Sequence, residues 1–230
     1  MANSTSFFSS GGKDIAILID PDKFSSDRIV ALKKAVEKFR PSYFFVGGSL
    51  LISGDLDETI QILKKHFNLP VLIFPGDHSQ VSSHADGILF LTLLSGRNPE
   101  YLAGQQVKAA PAIKKSKISV IPVAYLLIDG GRITTVQYIT QSIPLPADKP
   151  EIIISTALAG QFMGMHAVYL ETGSGALRSV SPEIIAMVKK NIDIPLIVGG
   201  GIKSQEEIEN LFEAGADVIV LGTIIEESFK

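Results

Sequence analysis

The feature that most constrains this chain is an alternation of two periods. Short runs rich in β-branched and aliphatic residues are separated by longer stretches with apolar residues at i, i+3 and i+4. The runs are Ile15 to Asp20, Tyr43 to Gly48, Val71 to Pro75, Gly87 to Leu94, Val120 to Asp129, Ala167 to Glu171, Pro195 to Gly199 and Val218 to Gly222. They are apolar on both faces, as strands of a parallel sheet covered by helices must be. The stretches "SDRIVALKKAVEKF", "LDETIQILKKHF", "SPEIIAMVKKNI" and "SQEEIENLFEAG" open on Ser or Asp caps with acidic first turns, the signature of amphipathic crossover helices. Eight such units predict an α/β fold, a (β/α)8 barrel in preference to a doubly wound sheet.

Two stretches depart from the regular pattern. Between Val71 and Gly87 the connection "GDHSQVSSHAD" has neither the length nor the apolar period of a packed helix, so the third crossover helix is expected to be missing. After the fifth strand, "GGRITTVQYITQSIPLPADKP" carries a Gly pair and alternating Ile133, Thr135 and Gln137, which predicts a hairpin excursion before a helix starting near Pro150.

With 230 residues, 46% of them hydrophobic, the chain can bury one sizeable core, and a single barrel domain over 1–230 is expected. The polar, Ser-rich residues 1–13 lack the basic start and apolar run of a secretory signal and are expected as a loose tail. The longest apolar runs, "GILFLTLLSG" and "VIPVAYLLID", are about half the roughly 20 residues of a spanning helix. No membrane crossing is expected. A net charge of -3, without zinc-finger or RNA-binding patterns, argues against nucleic acid as a partner. The absence of cysteine excludes disulfides and thiolate metal sites and fits the cytoplasm. His66, His78, His84 and His166 show no ligand spacing.

Chemistry concentrates at the predicted strand ends. Barrel enzymes work at that face, with phosphate held after the seventh and eighth strands. There stand Gly199, Gly200 and Gly201, then Gly222 and Thr223, whose backbone can approach an anion closely. The plainer reading is that these glycines only permit tight turns. On the sixth strand Ala167, Tyr169 and Glu171 share the inward face, bringing a phenol and a carboxylate to the rim. Beside bound phosphate, Glu171 is suited to substrate hydroxyls and to general-base work; capping a turn is the alternative. At the first strand's end Asp20 enters the same mouth, and the second strand ends in Gly47, Gly48 and Ser49. A hard oxygen ligand with a hydroxyl favours Mg²⁺ shared with substrate phosphates, although Asp-Pro is also an ordinary turn opener.

Taken in order, "LIDPDK", "FFVGGS", "YLETGSG", "VGGGIKS" and "VLGT" resemble the geranylgeranylglyceryl phosphate synthase family, in its second group, shared by archaea and some bacteria. The resemblance spans nearly the whole chain. It implies a modified barrel lacking its third helix and a cytosolic, Mg²⁺-dependent prenyltransferase. Such an enzyme joins glycerol 1-phosphate to a polyprenyl diphosphate, geranylgeranyl diphosphate, in the first ether bond of archaeal-type lipids. It also implies site residues: Asp20 and Ser49 for magnesium, and Tyr169, Leu170, Glu171, Thr172, Gly173, Ser174, Gly175, Gly200, Gly201, Gly222 and Thr223 for glycerol phosphate. Catalysis would rest on Glu171, Tyr169 and Asp20. Leu18 stands where the family's other group has Lys, and the last strand ends Gly-Thr where that group often has Gly-Asn.

An apolar groove for the prenyl tail is expected near the missing helix, with Phe45, Phe74, Phe90 and Tyr125 as candidates, although such residues are ordinarily barrel core. The segment from Pro150 to Met165 is apolar on more than one face, which predicts a homo-oligomer, dimer or hexamer. Two other classes explain part of the pattern. A sugar-phosphate isomerase would use the glycines but not "LIDPDK" with "YLETGSG"; a non-catalytic phospholigand sensor would not need Asp20.

Overall fold

A computed structural model describes residues 7–227. Eight parallel strands close a barrel in sequence order: β1 (Asp14–Ile19), β2 (Tyr43–Val46), β3 (Val71–Ile73), β4 (Gly87–Leu93), β5 (Ser119–Leu127), β6 (Ala167–Glu171), β7 (Leu196–Gly199) and β8 (Val218–Leu221). Closure is made by β1 on β8, with Asp14 opposite Val218 and Ile17 opposite Leu221.

The strands divide two cores by parity. Ala16, Phe45, Leu72, Leu89, Val123, Tyr125, Tyr169, Ile197 and Val220 fill the barrel interior. Their neighbours in sequence, such as Ile17, Phe44, Ile73, Leu170 and Val198, face the helices. Those helices are α1 (Ile29–Phe39), α2 (Leu56–His66), α3 (Gln105–Ser116), α4 (Thr135–Thr140), α5 (Pro150–Phe162), α6 (Pro182–Asn191), α7 (Gln205–Glu213) and the short α8 (Thr223–Glu227). Three of the four predicted helices carry a side-chain cap, Ser181 accepting from Ile184 N in α6 among them, whereas α1 opens on Arg28 after a short 3-10 turn without one. Asp55 accepts from Glu58 N at 2.9 Å, and Ser204 from Glu207 N at 3.1 Å, each satisfying an otherwise unpaired first-turn amide.

No helix links β3 to β4. A buried side chain holds that connection instead: Gln80 Nε2 donates to Gly48 O at 3.0 Å, and its Oε1 accepts from Gly76 N at 3.2 Å. The stretch after β5 is no hairpin. It carries α4 and is tied to the sheet by Ile128, whose amide donates to Glu171 O at 2.8 Å and which forms an isolated parallel bridge with Leu145. Alternation at Ile133, Thr135 and Gln137 hid the helical spacing of Val136 and Thr140, whose hydroxyl donates to Val136 O at 2.7 Å.

The expected loose tail is a plug over residues 7–13, while residues 1–6 lie outside the described part. Phe8 is buried at the barrel's N-terminal end against Tyr43 and Phe45, with ring centroids 5.5 and 6.2 Å away. Fully burying one such ring is worth about 2–3 kcal/mol. Buried Asp217 holds the segment from beneath. It accepts from Gly11 N at 2.6 Å, Leu196 N at 2.7 Å and Lys189 Nζ at 2.6 Å, and Lys189 also donates to Ser10 Oγ. A pattern of hydropathy cannot show a plug whose anchors, from Tyr43 and Phe45 to Lys189 and Asp217, are gathered only by closure of the barrel.

Among the described residues, no helix is long and apolar enough to cross a membrane.

Candidate active site

Parity on β6 sets the site. Tyr169 and Glu171 both point inward, and register with β7 places Glu171 opposite Gly199. Gly199 has no side chain because there is no room for one: a Cβ there would run into Tyr169 Oη and lie 2.8 Å from Glu171 Oε2. Gly200, at φ +83°, and Gly201, at φ +69°, then turn the chain through the left-handed region. A Cβ on Gly200 would collide with Glu171 Oε1 and stand 2.5 Å from Thr172 Oγ1.

Glu171 is buried, and Gly173 N donates to its Oε1 at 2.7 Å. Burial raises its pKa above the ordinary 4.5, while Tyr169 and the Gly173 amide pull the other way. Burial and the Glu171 charge in turn hold the Tyr169 phenol well above its usual range. The phenol senses that charge without a hydrogen bond of normal geometry. Among the described residues, Tyr169 Oη and Thr172 Oγ1 are buried hydroxyls with no hydrogen-bond partner. Orphaned groups of this kind cost free energy, so two beside a buried carboxylate mark a site shaped for a polar ligand.

The other carried-over positions divide. Gly173, at φ +92°, lies under Thr134, whose Oγ1 would be 2.5 Å from an added Cβ. Ser174 and Gly175 are exposed, and nothing stands within 4 Å of a Cβ on Gly175. Leu170 faces the helix layer, so its side chain takes no part. Gly199 pairs with Val220, which brings Gly200 and Gly201 out of the barrel beside Gly222 and Thr223 at the start of α8. Leu18 packs inside the barrel, its Cδ2 3.8 Å from a Cβ on Gly222.

Across the mouth, Asp20 follows β1 directly, with Oδ1 3.4 Å from the position of a Cβ on Gly48. Ser49 is the next residue on that turn. Asp20 Oδ2 meets Lys23 Nζ at 3.2 Å, and Lys23 reaches Glu226 of α8 at 2.9 Å. Burial alone would lower the Lys23 pKa; Glu226 and Asp20 outweigh it and hold the ammonium charged. Asp22 is a clamp. Its carboxylate accepts from the amides of Ile52, Ser53 and Gly54 at 2.6 to 2.9 Å, tying the turn after β1 to the turn that carries Ser49. The Ser53, Gly54 and Ile52 amides hold its pKa below the usual carboxylate range.

No group of three or more His, Asp or Glu side chains converges among the described residues. One carboxylate, one hydroxyl and neighbouring carbonyls suit Mg²⁺, which keeps several waters and borrows oxygens from substrate phosphates.

From Gly48 and Ser49 an apolar groove runs where the third helix is absent, along Phe74, Phe90 and Tyr125 to Tyr101, Ala109 and Ile113. Phe45 is not part of it; its ring is wholly buried in the barrel interior. Tyr101 lies on a π-helical turn, Glu100–Gly104, that leads into α3, and Gln106 Nε2 ties this turn to β4 through Tyr101 O and Leu91 O. Sequence reading missed Gln80, Gln106 and Thr134. Gln80 and Thr134 are polar residues in loops and Gln106 stands in the first turn of α3, and only the folded neighbours give each a task.

A closed parallel barrel with a buried carboxylate, orphaned hydroxyls and left-handed glycines at its C-terminal strand ends defines an enzyme of the (β/α)8 class. The chain belongs to the PcrB family, whose profile it matches over residues 13–230. It is 46% identical over 217 residues to a geranylgeranylglyceryl phosphate synthase of Chitinophaga pinensis, covering 94% of this chain and 86% of that one. The corresponding values for the Pyrococcus furiosus synthase are 44% over 213 residues, 92% and 84%. Among solved structures, (S)-3-O-geranylgeranylglyceryl phosphate synthase from Thermoplasma acidophilum, in complex with sn-glycerol-1-phosphate, superposes with a TM-score of 0.86. It is 40% identical, covering 94% of this chain and 87% of that one. The motif resemblance therefore holds, and it extends to archaeal and bacterial relatives alike.

Proposed function

We propose that this chain transfers a geranylgeranyl group from its diphosphate to sn-glycerol 1-phosphate, forming geranylgeranylglyceryl phosphate for ether-linked phospholipids. One observation carries the reading: a buried carboxylate and two unpartnered hydroxyls converge at Gly199 and Gly200, next to the head of an apolar groove. The names of the relatives and the glycerol phosphate complex of the Thermoplasma acidophilum enzyme support it.

In this reading the backbone of Gly200, Gly201, Gly222 and Thr223 holds the phosphate. The glycerol hydroxyls replace the missing partners of Tyr169 Oη and Thr172 Oγ1. Glu171, with the basicity that burial gives it, orients the attacking hydroxyl and takes its proton. Asp20 and Ser49 would hold Mg²⁺ at the head of the groove, where the ion supplies charge neutralisation for the departing diphosphate. The groove along Phe74 and Phe90 excludes water from the allylic carbon.

The enzyme works in the cytoplasm as a homo-oligomer. Support for assembly comes from α5, where Ile152, Phe162 and Met163 are exposed while Ile153, Ala157 and Gly160 pack inward. The small residues serve the barrel itself: a Cβ on Gly160 would lie 2.5 Å from Ala124 Cβ. Incubating purified protein with both substrates and extracting the product into organic solvent tests the assignment.

A further inference from the structure

Three aromatic rings separate the groove from the carboxylate. Phe74 and Tyr125 line the groove, whereas Tyr169 belongs to the pocket around Glu171. Ring centroids stand 5.5 Å apart for Phe74 and Tyr169, 5.4 Å for Tyr125 and Tyr169, and 6.2 Å for Phe74 and Tyr125. They form one closed triangle.

Each ring is fixed by the fold. Tyr125 pairs in register with Tyr169, and its ring meets that neighbour edge-on at 70°. Phe74 N donates to Val46 O at 2.9 Å, and Gly47 lies so close to Phe74 O that it admits no side chain. Phe74 is thereby held against the turn that carries Gly48 and Ser49, and it is only half-buried. Tyr125 and Tyr169 are held neutral by burial first and by the Glu171 charge second. Among the described residues, no Lys or Arg lines the groove. A positive charge arising there meets the Phe74 and Tyr125 rings, with the Asp77 carboxylate on the groove wall and Glu171 beyond Tyr169.

We infer that Phe74 and Tyr125 are catalytic residues that stabilise the allylic cation through their ring faces. The inference rests on the proposed prenyl transfer. The leaving diphosphate sits at the Asp20 and Ser49 side and the nucleophile at the Glu171 side, so the reacting carbon lies between them, over these rings. As the carbon–oxygen bond to diphosphate breaks, its electron pair leaves with the diphosphate and positive charge spreads over C1 and C3 of the prenyl group. The glycerol hydroxyl oxygen then bonds to C1, and its proton passes to Glu171. Ring quadrupoles attract a desolvated cation, but not the uncharged allylic carbons of the starting diphosphate monoester or of the product ether.

The test is a single-turnover rate with geranylgeranyl diphosphate and sn-glycerol 1-phosphate at saturation. Tyr125→Phe keeps the ring, and Tyr125→Leu falls about thirtyfold below it, the rate equivalent of a desolvated cation–π contact. Phenylalanines with one, two and three fluorines placed at position 125 drain the ring's negative face at nearly constant volume, and log rate falls steadily along that series. The KM for geranylgeranyl diphosphate stays within about threefold throughout, because the unreacted substrate carries no cation. A purely packing role would leave the fluorine series flat, and that result overturns the inference. The same series at position 74 covers the case in which Tyr125→Leu misfolds. Prenyl transfer by the parent with a flat series sinks only the aromatic role; no transfer by the parent sinks the functional reading and this inference together.

Discussion

Glu171 Oε1 fills the space that a side chain on Gly200 would need, so the carboxylate and the phosphate-side turn are shaped against each other. Gly200 also sits at φ +83°, which an L side chain rarely adopts. Gly200→Ala must therefore push Glu171 or Thr172 aside and strain the turn. Glycerol 1-phosphate binding, measured by calorimetry, should weaken at least about tenfold, and the melting temperature should fall by a few degrees because the folded state carries the strain.

Glu171→Gln separates catalysis from stability. Its folded pKa is raised, so its stabilising contribution is complete below the ordinary 4.5 and is lost as pH rises through the folded value. A glutamine does not titrate. The melting temperature of the variant should gain on that of the parent as pH is raised from about 4 to 8. Turnover should fall by about a hundredfold or more, with glycerol phosphate still bound. A turn-capping carboxylate would leave the rate per folded molecule unchanged.

Much of this arrangement is legible in the sequence because strands have a period of two. Ala167, Tyr169 and Glu171 share a face whatever surrounds them, and β6 was predicted with its observed limits. The missing third helix was also legible, since a stretch as short and polar as that after Val71 cannot bury a face. Long-range contacts were not. Phe8 looked like tail because its partners, Tyr43 and Phe45, are brought to it only by barrel closure. Leu170 came with a motif, yet parity sends its side chain to the helices. Phe45 was only a candidate for the groove, with barrel core as the commoner role for such a residue, and its strand position puts it in that core.

Asp20→Asn removes the carboxylate that faces the Gly48 and Ser49 turn and loosens its contact with Lys23. Turnover should drop at least about a hundredfold at saturating Mg²⁺, since charge neutralisation acts on the leaving diphosphate. Glycerol phosphate, held across the mouth, should bind as in the parent. Near-normal turnover would remove Asp20 from the mechanism.

At the opposite end of the barrel, Lys189→Met strands the buried Asp217 carboxylate with only the amides of Gly11 and Leu196. Denaturant titration should show a loss of about 3 kcal/mol, the cost of breaking a buried pair from one side. Glycerol phosphate affinity should not change.

The most direct measurement is prenyl transfer itself. Purified protein is incubated with radiolabelled sn-glycerol 1-phosphate, geranylgeranyl diphosphate and either Mg²⁺ or a chelator, and label is counted in the organic phase. The account predicts that label moves into the organic phase only when both substrates and Mg²⁺ are present. Label remaining in water under every condition, with folded protein that still binds glycerol phosphate, would contradict it.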